Sequence, residues 1–169
     1  MNIIFLDIDG VLNSSDFADK HYKETGKGLF MYDFLDPNAV NSMKNFLDNH
    51  PDIRIVISSS WRYGNVHKTI SFFKENGMKP IADYVIGDTP RTHSGERGKE
   101  IKWFLEHVGT DEIGDMILDN DIKIDQYVIV DDEDYGMFDF QKEDHLVKID
   151  NVHGITNNDY YRIEKILYG

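Results

Sequence analysis

The chain of 169 residues has no cysteine. Disulfides, thiolate zinc sites, iron–sulfur clusters and cysteine nucleophiles are therefore excluded together. Long apolar runs are missing as well: none approaches the ~20 residues that cross a bilayer. The run Ile3 to Leu6 meets Asp7 at once and has no basic leader before it, so no secretory signal is read there. The expected location is a reducing, cytoplasmic compartment, with no membrane partner. Positive charge is scarce: 18 Lys and Arg stand against 31 Asp and Glu, a net −13. Such a chain repels nucleic acid and anionic membranes on average. Repeats, low-complexity tracts and linkers are absent too, so residues 1–169 read as one domain. Hydrophobic residues make up 40% and aromatics 12%, which excludes a disordered or fibrous chain.

The sequence alternates short apolar runs with stretches of helical period. Strands are expected at Ile3–Leu6, Ile53–Ile57, Asp83–Ile86, Tyr127–Val130 and Leu146–Ile149. Asp36-Pro37 reads as an N-cap followed by proline in the first helical position, and Val40, Met43 and Leu47 then share a face. Val66, Ile70 and Phe73 mark a second helix. Ile101, Phe104, Leu105 and Val108 mark a third, and Tyr160, Ile163 and Leu167 a last one. Residues 13–35 lack clean periodicity and contain Gly26-Lys27-Gly28, so they read as a flap with a turn. Residues 110–126 are acidic and ambiguous. Strands alternating with helices argue for an α/β fold, a Rossmann-like three-layer sandwich around a mostly parallel sheet.

Three of the strands end in polar clusters: Asp7 and Asp9, Ser58 and Ser59, Asp131 and Asp132. In a parallel sheet the carboxyl ends lie on one edge, and ligands bind there at the switch point of the strand order. Four carboxylates in one pocket raise each other's pKa. A hard divalent cation relieves that, and Mg²⁺ takes oxygen ligands while leaving room for a phosphate. A carboxylate-bound cation beside a hydroxyl and a lysine suits phosphoryl transfer.

In order, Asp7-Ile8-Asp9-Gly10-Val11, Ser58, Lys99 (within Arg97-Gly98-Lys99-Glu100-Ile101) and Asp131-Asp132 resemble the four motifs of the haloacid dehalogenase (HAD) superfamily. Most of its members are Mg²⁺-dependent phosphatases. Asp9-Gly10-Val11-Leu12-Asn13, Ser58-Ser59-Ser60-Trp61-Arg62 and Gly154-Ile155-Thr156 are similar, more finely, to the small HAD domains of RNA-repair proteins. The resemblance implies Asp7 as nucleophile, forming an aspartyl-phosphate, and Asp9 as general acid and base. It implies Mg²⁺ held by Asp7, the Asp9 main-chain carbonyl and Asp131, with Asp132 acting through a ligand water or orienting Lys99. Ser58 and Lys99 would hold the phosphoryl oxygens, with Ser59 and Arg62 as further contacts. Only the flap 13–35 is long enough to cover the site, so a capless member is expected. The implied substrate is a phosphomonoester, with a polynucleotide 3′-phosphate or a nucleotide as the finer reading.

The residues leave further readings open. A receiver-like phospho-accepting module also combines an acidic cluster, a Ser or Thr and a Lys on a parallel sheet, though its acceptor lies on a middle strand. A small-metabolite phosphatase and an inactive binding domain are compatible with the same residues. Trp61 reads as a core residue rather than a base-stacking platform. From Trp61 to Lys102 the chain carries eight Lys and Arg against five Asp and Glu, a local +3 that leaves −16 for the rest. That segment is expected to receive an anionic substrate or to carry no function. The seven histidines lack metal-ligand spacing and are assigned no role.

Overall fold

Alternation along the strands builds two cores on one sheet. The computed structural model describes residues 1–28 and 35–169. Five strands form: β1 (Asn2–Leu6), β2 (Ile53–Ile57), β3 (Val85–Asp88), β4 (Gln126–Asp131) and β5 (Leu146–Lys148). The described helices are α1 (Ser15–Thr25), α2 (Pro37–Asn49), α3 (Val66–Glu75), α4 (Lys79–Ala82), α5 (Arg97–His107), α6 (Asp139–Asp144) and α7 (Asn157–Tyr168). Successive strand side chains point to opposite faces. Ile4, Leu6, Ile55, Ile57, Val128 and Val130 therefore pack with Val40, Met43 and Leu47 of α2, Phe73 of α3 and Ile163 of α7. Ile3, Phe5, Val56 and Ile129 pack on the other face with Ile101 and Phe104 of α5 and with Ile113. Phe5 and Phe104 meet edge to face at 5.7 Å. The result is the expected three-layer α/β sandwich. A sheet covered on both faces needs apolar residues at every strand position, which is why the strands read as continuous runs.

The strand order is β3-β2-β1-β4-β5, and every pairing between named strands is parallel. The chain builds outward from β1 through β2 to β3, then crosses to the other side of β1 for β4 and β5. The direction reverses between β1 and β4, so the crevice lies at their carboxyl ends.

Four local expectations change. The sheet is wholly rather than mostly parallel. The flap 13–35 contains α1, and its residues 29–34 lie outside the described ones. Helix α1 buries none of its residues, so it shows no apolar stripe; Ser14 starts it by accepting from the Phe17 N–H at 3.1 Å, and Gly26 closes it. The third strand lies two residues later than expected, because α4 ends in a turn that takes Asp83, with the Tyr84 N–H donating to the Ile81 carbonyl. The acidic stretch 110–126 holds a 3₁₀ helix, Asp111–Met116, whose Ile113 is buried under α5.

Candidate active site

The strand register itself brings the acids together. Leu6 is paired with Val130 across β1 and β4, so Asp7 and Asp131 follow side by side at the switch point. The Asp7 N–H donates to the Val130 carbonyl at 2.9 Å, and the Ser58 N–H to the Leu6 carbonyl at 2.8 Å. Carboxylate oxygens of Asp7, Asp131 and Asp132 all lie within 4.8 Å of one another. Asp131 is held by a local turn in which its Oδ1 accepts the Glu133 N–H at 2.9 Å. Gly10 has φ +76°, and a Cβ built there would sit 2.4 Å from Asp132 Oδ2. Only glycine lets the Asp132 carboxylate lie against the turn that follows Asp9.

Burial dominates the electrostatics of this cluster. It pushes Asp7 up to about 6; the Arg97 guanidinium and hydrogen bonds from the Ile8 N–H and the Ser59 hydroxyl oppose that rise. Burial and then the neighbouring Asp7 push Asp131 up to about 8. Burial also raises Asp132. Arg97, the first residue of α5, reaches in between: its Nη2 is 3.6 Å from Asp7 and its Nε 3.4 Å from Asp131. It also donates to the Ser58 carbonyl. Two buried polar atoms at this edge, Ser58 Oγ and Asp131 Oδ2, have no hydrogen-bond partner. Buried polar groups are rarely left so, which marks the place of something else. Three oxygen donors with raised pKa values, one of them a buried carboxylate oxygen without a hydrogen bond, fit a hard divalent cation. Asp7, Asp131 and Asp132 are the side chains that would hold it.

The other expected residues divide. Asp9 is outside this trio and exposed; Asn13 Nδ2 donates to its Oδ1 at 2.9 Å and Trp61 Nε1 to its Oδ2 at 3.0 Å. Ser59 is engaged with Asp7 through its hydroxyl, which also accepts the Trp61 N–H at 3.3 Å. Lys99 is exposed and pairs with Glu96 at 2.5 Å. Residues two apart on a helix point in different directions, so Arg97 and Lys99 cannot both face the sheet edge. The cation in the cluster is Arg97, four residues before the buried Ile101 and so on the inward stripe of α5. Gly98 makes that approach possible, since a Cβ there would meet Gln141 Oε1 at 2.5 Å and the Gly136 carbonyl at 2.6 Å. Arg62 is held inside the chain. Its guanidinium is buried against Glu100 at 3.0 Å and its Nη1 faces the Thr89 and Pro90 carbonyls.

The basic segment is likewise less basic than its count. Besides Arg62 and Lys99, Lys74 pairs with Asp83 and Lys102 with Glu106. Trp61 packs against the larger core, yet it also lines an open pocket of about 750 Å³ with Asp9, Ser60, Arg62, Tyr63, Phe72 and Arg91. Among the described residues no helix is long and apolar enough to cross a membrane.

The profile of the HAD domain in Swiss Army Knife RNA repair proteins matches residues 3–160. No curated protein and no solved structure gives a match. HAD domains generally use a divalent metal, and membership points to a hydrolase of phosphatase type. The matched span contains every strand and the whole acidic cluster, and the chain belongs to this family of HAD domains.

Proposed function

We propose that the protein is a Mg²⁺-dependent phosphomonoesterase acting through an aspartyl-phosphate on Asp7. The observation that carries this reading is the pair of buried oxygens without a hydrogen bond, Ser58 Oγ and Asp131 Oδ2, beside Asp7 and beside Arg97, whose Nε lies 3.4 Å from that Asp131 oxygen. A phosphoryl group and a cation are the two species that such an edge lacks. Asp7 attacks phosphorus, and the bond to the leaving oxygen breaks. Asp9 gives that oxygen its proton. Asp9 then takes a proton from water, which attacks the aspartyl-phosphate and releases inorganic phosphate with Asp7 restored. Arg97 and Ser58 hold the phosphoryl oxygens, and Ser59 orients Asp7. Mg²⁺ held by Asp7, Asp131 and Asp132 would neutralise the carboxylates and the charge on the transferred group. Asn13 and Trp61 fix both oxygens of Asp9 at the mouth of the site.

The substrate class we propose is a polynucleotide 3′-phosphate. Family membership and the open pocket beside Asp9 support it. The test is phosphate release from a 3′-phosphorylated oligonucleotide and from an aryl phosphate, in Mg²⁺ or in EDTA, with Asp7→Asn as control. Mg²⁺-dependent turnover favouring the oligonucleotide is expected. Turnover of the aryl phosphate alone would remove the polynucleotide substrate. Silence with both, or an active Asp7→Asn protein, would overturn the mechanism.

A further inference from the structure

The pocket beside Asp9 plays no part in the chemistry above, and its walls are aromatic. The Trp61 and Phe72 rings meet at 6.0 Å and 67°, and Tyr63 lies against Phe72 at 4.6 Å with a tilt of 31°. Tyr63 keeps 51% of its surface exposed although its ring is apolar. Trp61 belongs to the pocket and to the site at once, because its Nε1 donates to Asp9 Oδ2. Arg91 completes the wall. Its Nη2 is anchored on the Ser60 and Arg62 carbonyls, and it has no carboxylate partner among the described residues.

We propose that this pocket binds the base of the terminal nucleoside whose phosphate is removed, with Trp61 and Tyr63 as its aromatic contacts and Arg91 on the adjoining phosphodiester. The inference rests on the phosphomonoesterase reading and names the subsite for its leaving group. Connectivity supplies the first argument. The leaving oxygen takes its proton from Asp9, so the organic group bonded to that oxygen begins at Asp9. The pocket that Asp9 lines is where this group goes. Chemistry supplies the second argument. Aromatic rings line the pocket, Tyr63 with half its surface exposed, and stacking of a planar ring on such π-faces accepts any base. An aliphatic phosphosugar would leave those faces unmatched. The pocket, about 750 Å³, is within the usual range for small-ligand sites of roughly 300–1,000 Å³. Charge supplies the third. A fixed, unpaired guanidinium is unusual at the rim of a chain of net −13, and a phosphodiester complements it.

Binding separates this proposal from catalysis. The probe is a 5′-labelled oligonucleotide carrying a 3′-phosphate, beside the same strand ending in a tetrahydrofuran abasic residue with its 3′-phosphate. Anisotropy titrations with the Asp7→Asn protein in Mg²⁺ should show the base-bearing end binding about 10-fold more tightly, the scale of one base–aromatic stack. In Asp7→Asn/Tyr63→Ala that ratio should fall toward one, and in Asp7→Asn/Tyr63→Phe it should persist because the ring is kept. Equal Kd values for the two ends, or a preference that survives Tyr63→Ala undiminished, would overturn the subsite. A labelled 3′-nucleoside monophosphate that binds as tightly as the oligonucleotide would remove Arg91's role on a phosphodiester. Failure of the phosphomonoesterase reading shows separately, as an absence of phosphate release by the wild-type protein, and the Kd ratio still decides the subsite.

Discussion

Two buried clusters of charge sit near the same sheet edge, and they are built on opposite principles. Around Arg62, one cation meets one carboxylate, Glu100, at 3.0 Å. The Thr89 and Pro90 carbonyls and the Thr89 hydroxyl share the two hydrogens of the same Nη1 with Glu100, and Glu100 Oε1 accepts the Thr92 N–H at 2.9 Å. Next to it, the Thr69 hydroxyl donates to Asp88 at 2.7 Å. Around Arg97, one cation faces Asp7 and Asp131, with Asp132 close behind, and two buried oxygens lack a hydrogen bond. Both clusters carry the desolvation cost of buried charge. The first sets one cation against one carboxylate, with Arg62 Nε left without a hydrogen bond; the second sets one cation against three carboxylates. The contrast teaches that burial and charge do not by themselves mark a functional site; a charge imbalance that the chain does not resolve does.

The sharpest way to break this comparison is to separate activity from stability at Asp7. Asp7→Asn should abolish phosphate release while the fold survives. Removing a carboxylate that burial disfavours should also leave the metal-free protein at least as stable near pH 8. A melting temperature well below wild type in EDTA would make the Asp7 cluster structural after all. The reverse outcome is expected at Arg62. Arg62→Ala strands Glu100 in the interior, and breaking a buried pair this way costs about 3–5 kcal/mol. Urea unfolding measures it. A loss under about 1 kcal/mol, the usual worth of an exposed pair, would erase the distinction between the two clusters.

Arg97 and Lys99 sharpen it further, because the two cations are two residues apart on one helix. Arg97→Ala should lower kcat by about 10²–10³, the scale of losing one donor to a transition-state anion. Lys99→Ala should leave stability within about 0.5 kcal/mol, as exposed substitutions do. Steady-state kinetics on both variants decides. A large kinetic loss in Lys99→Ala alone would restore the lysine of the sequence motif.

That pair also shows how far the sequence is legible. The sheet is readable because strands buried on both faces must be apolar throughout, and Asp7 and Asp131 are readable because each ends such a run. For the cation, residue type and helical period point to different residues. The helical period points to Arg97, four residues before Ile101, and the motif points to Lys99. The partner of Arg62 is out of reach, since Glu100 looks like any exposed helix residue until α5 turns it inward. Helix α1 escapes the periodicity because a helix that buries nothing leaves no stripe, only its caps. The aromatic pocket joins Trp61 and Tyr63 to Phe72 and Arg91 across turns whose geometry no periodicity encodes.

The last effect expected is a slope. Burial holds the carboxyls of Asp7 and Asp131 in the folded protein above the ~3.9 of an unfolded aspartate. The folded state therefore holds protons that the unfolded state has released, so stability falls as pH rises between the unfolded and folded values. Below about pH 4 both states are protonated and there is no penalty. Above the folded-state values it is complete. In EDTA the melting temperature should fall from pH 5 to pH 8.5. Mg²⁺ binds the ionised carboxylates, so millimolar Mg²⁺ should stabilise most at the alkaline end and flatten the slope. Asp88 and His153 are also raised, and their contributions share this sign. The difference between wild type and Asp7→Asn isolates the cluster, because both proteins keep those groups. Identical slopes for the two proteins, with or without Mg²⁺, would mean that the acids at the switch point are no more frustrated than the Arg62 network beside them.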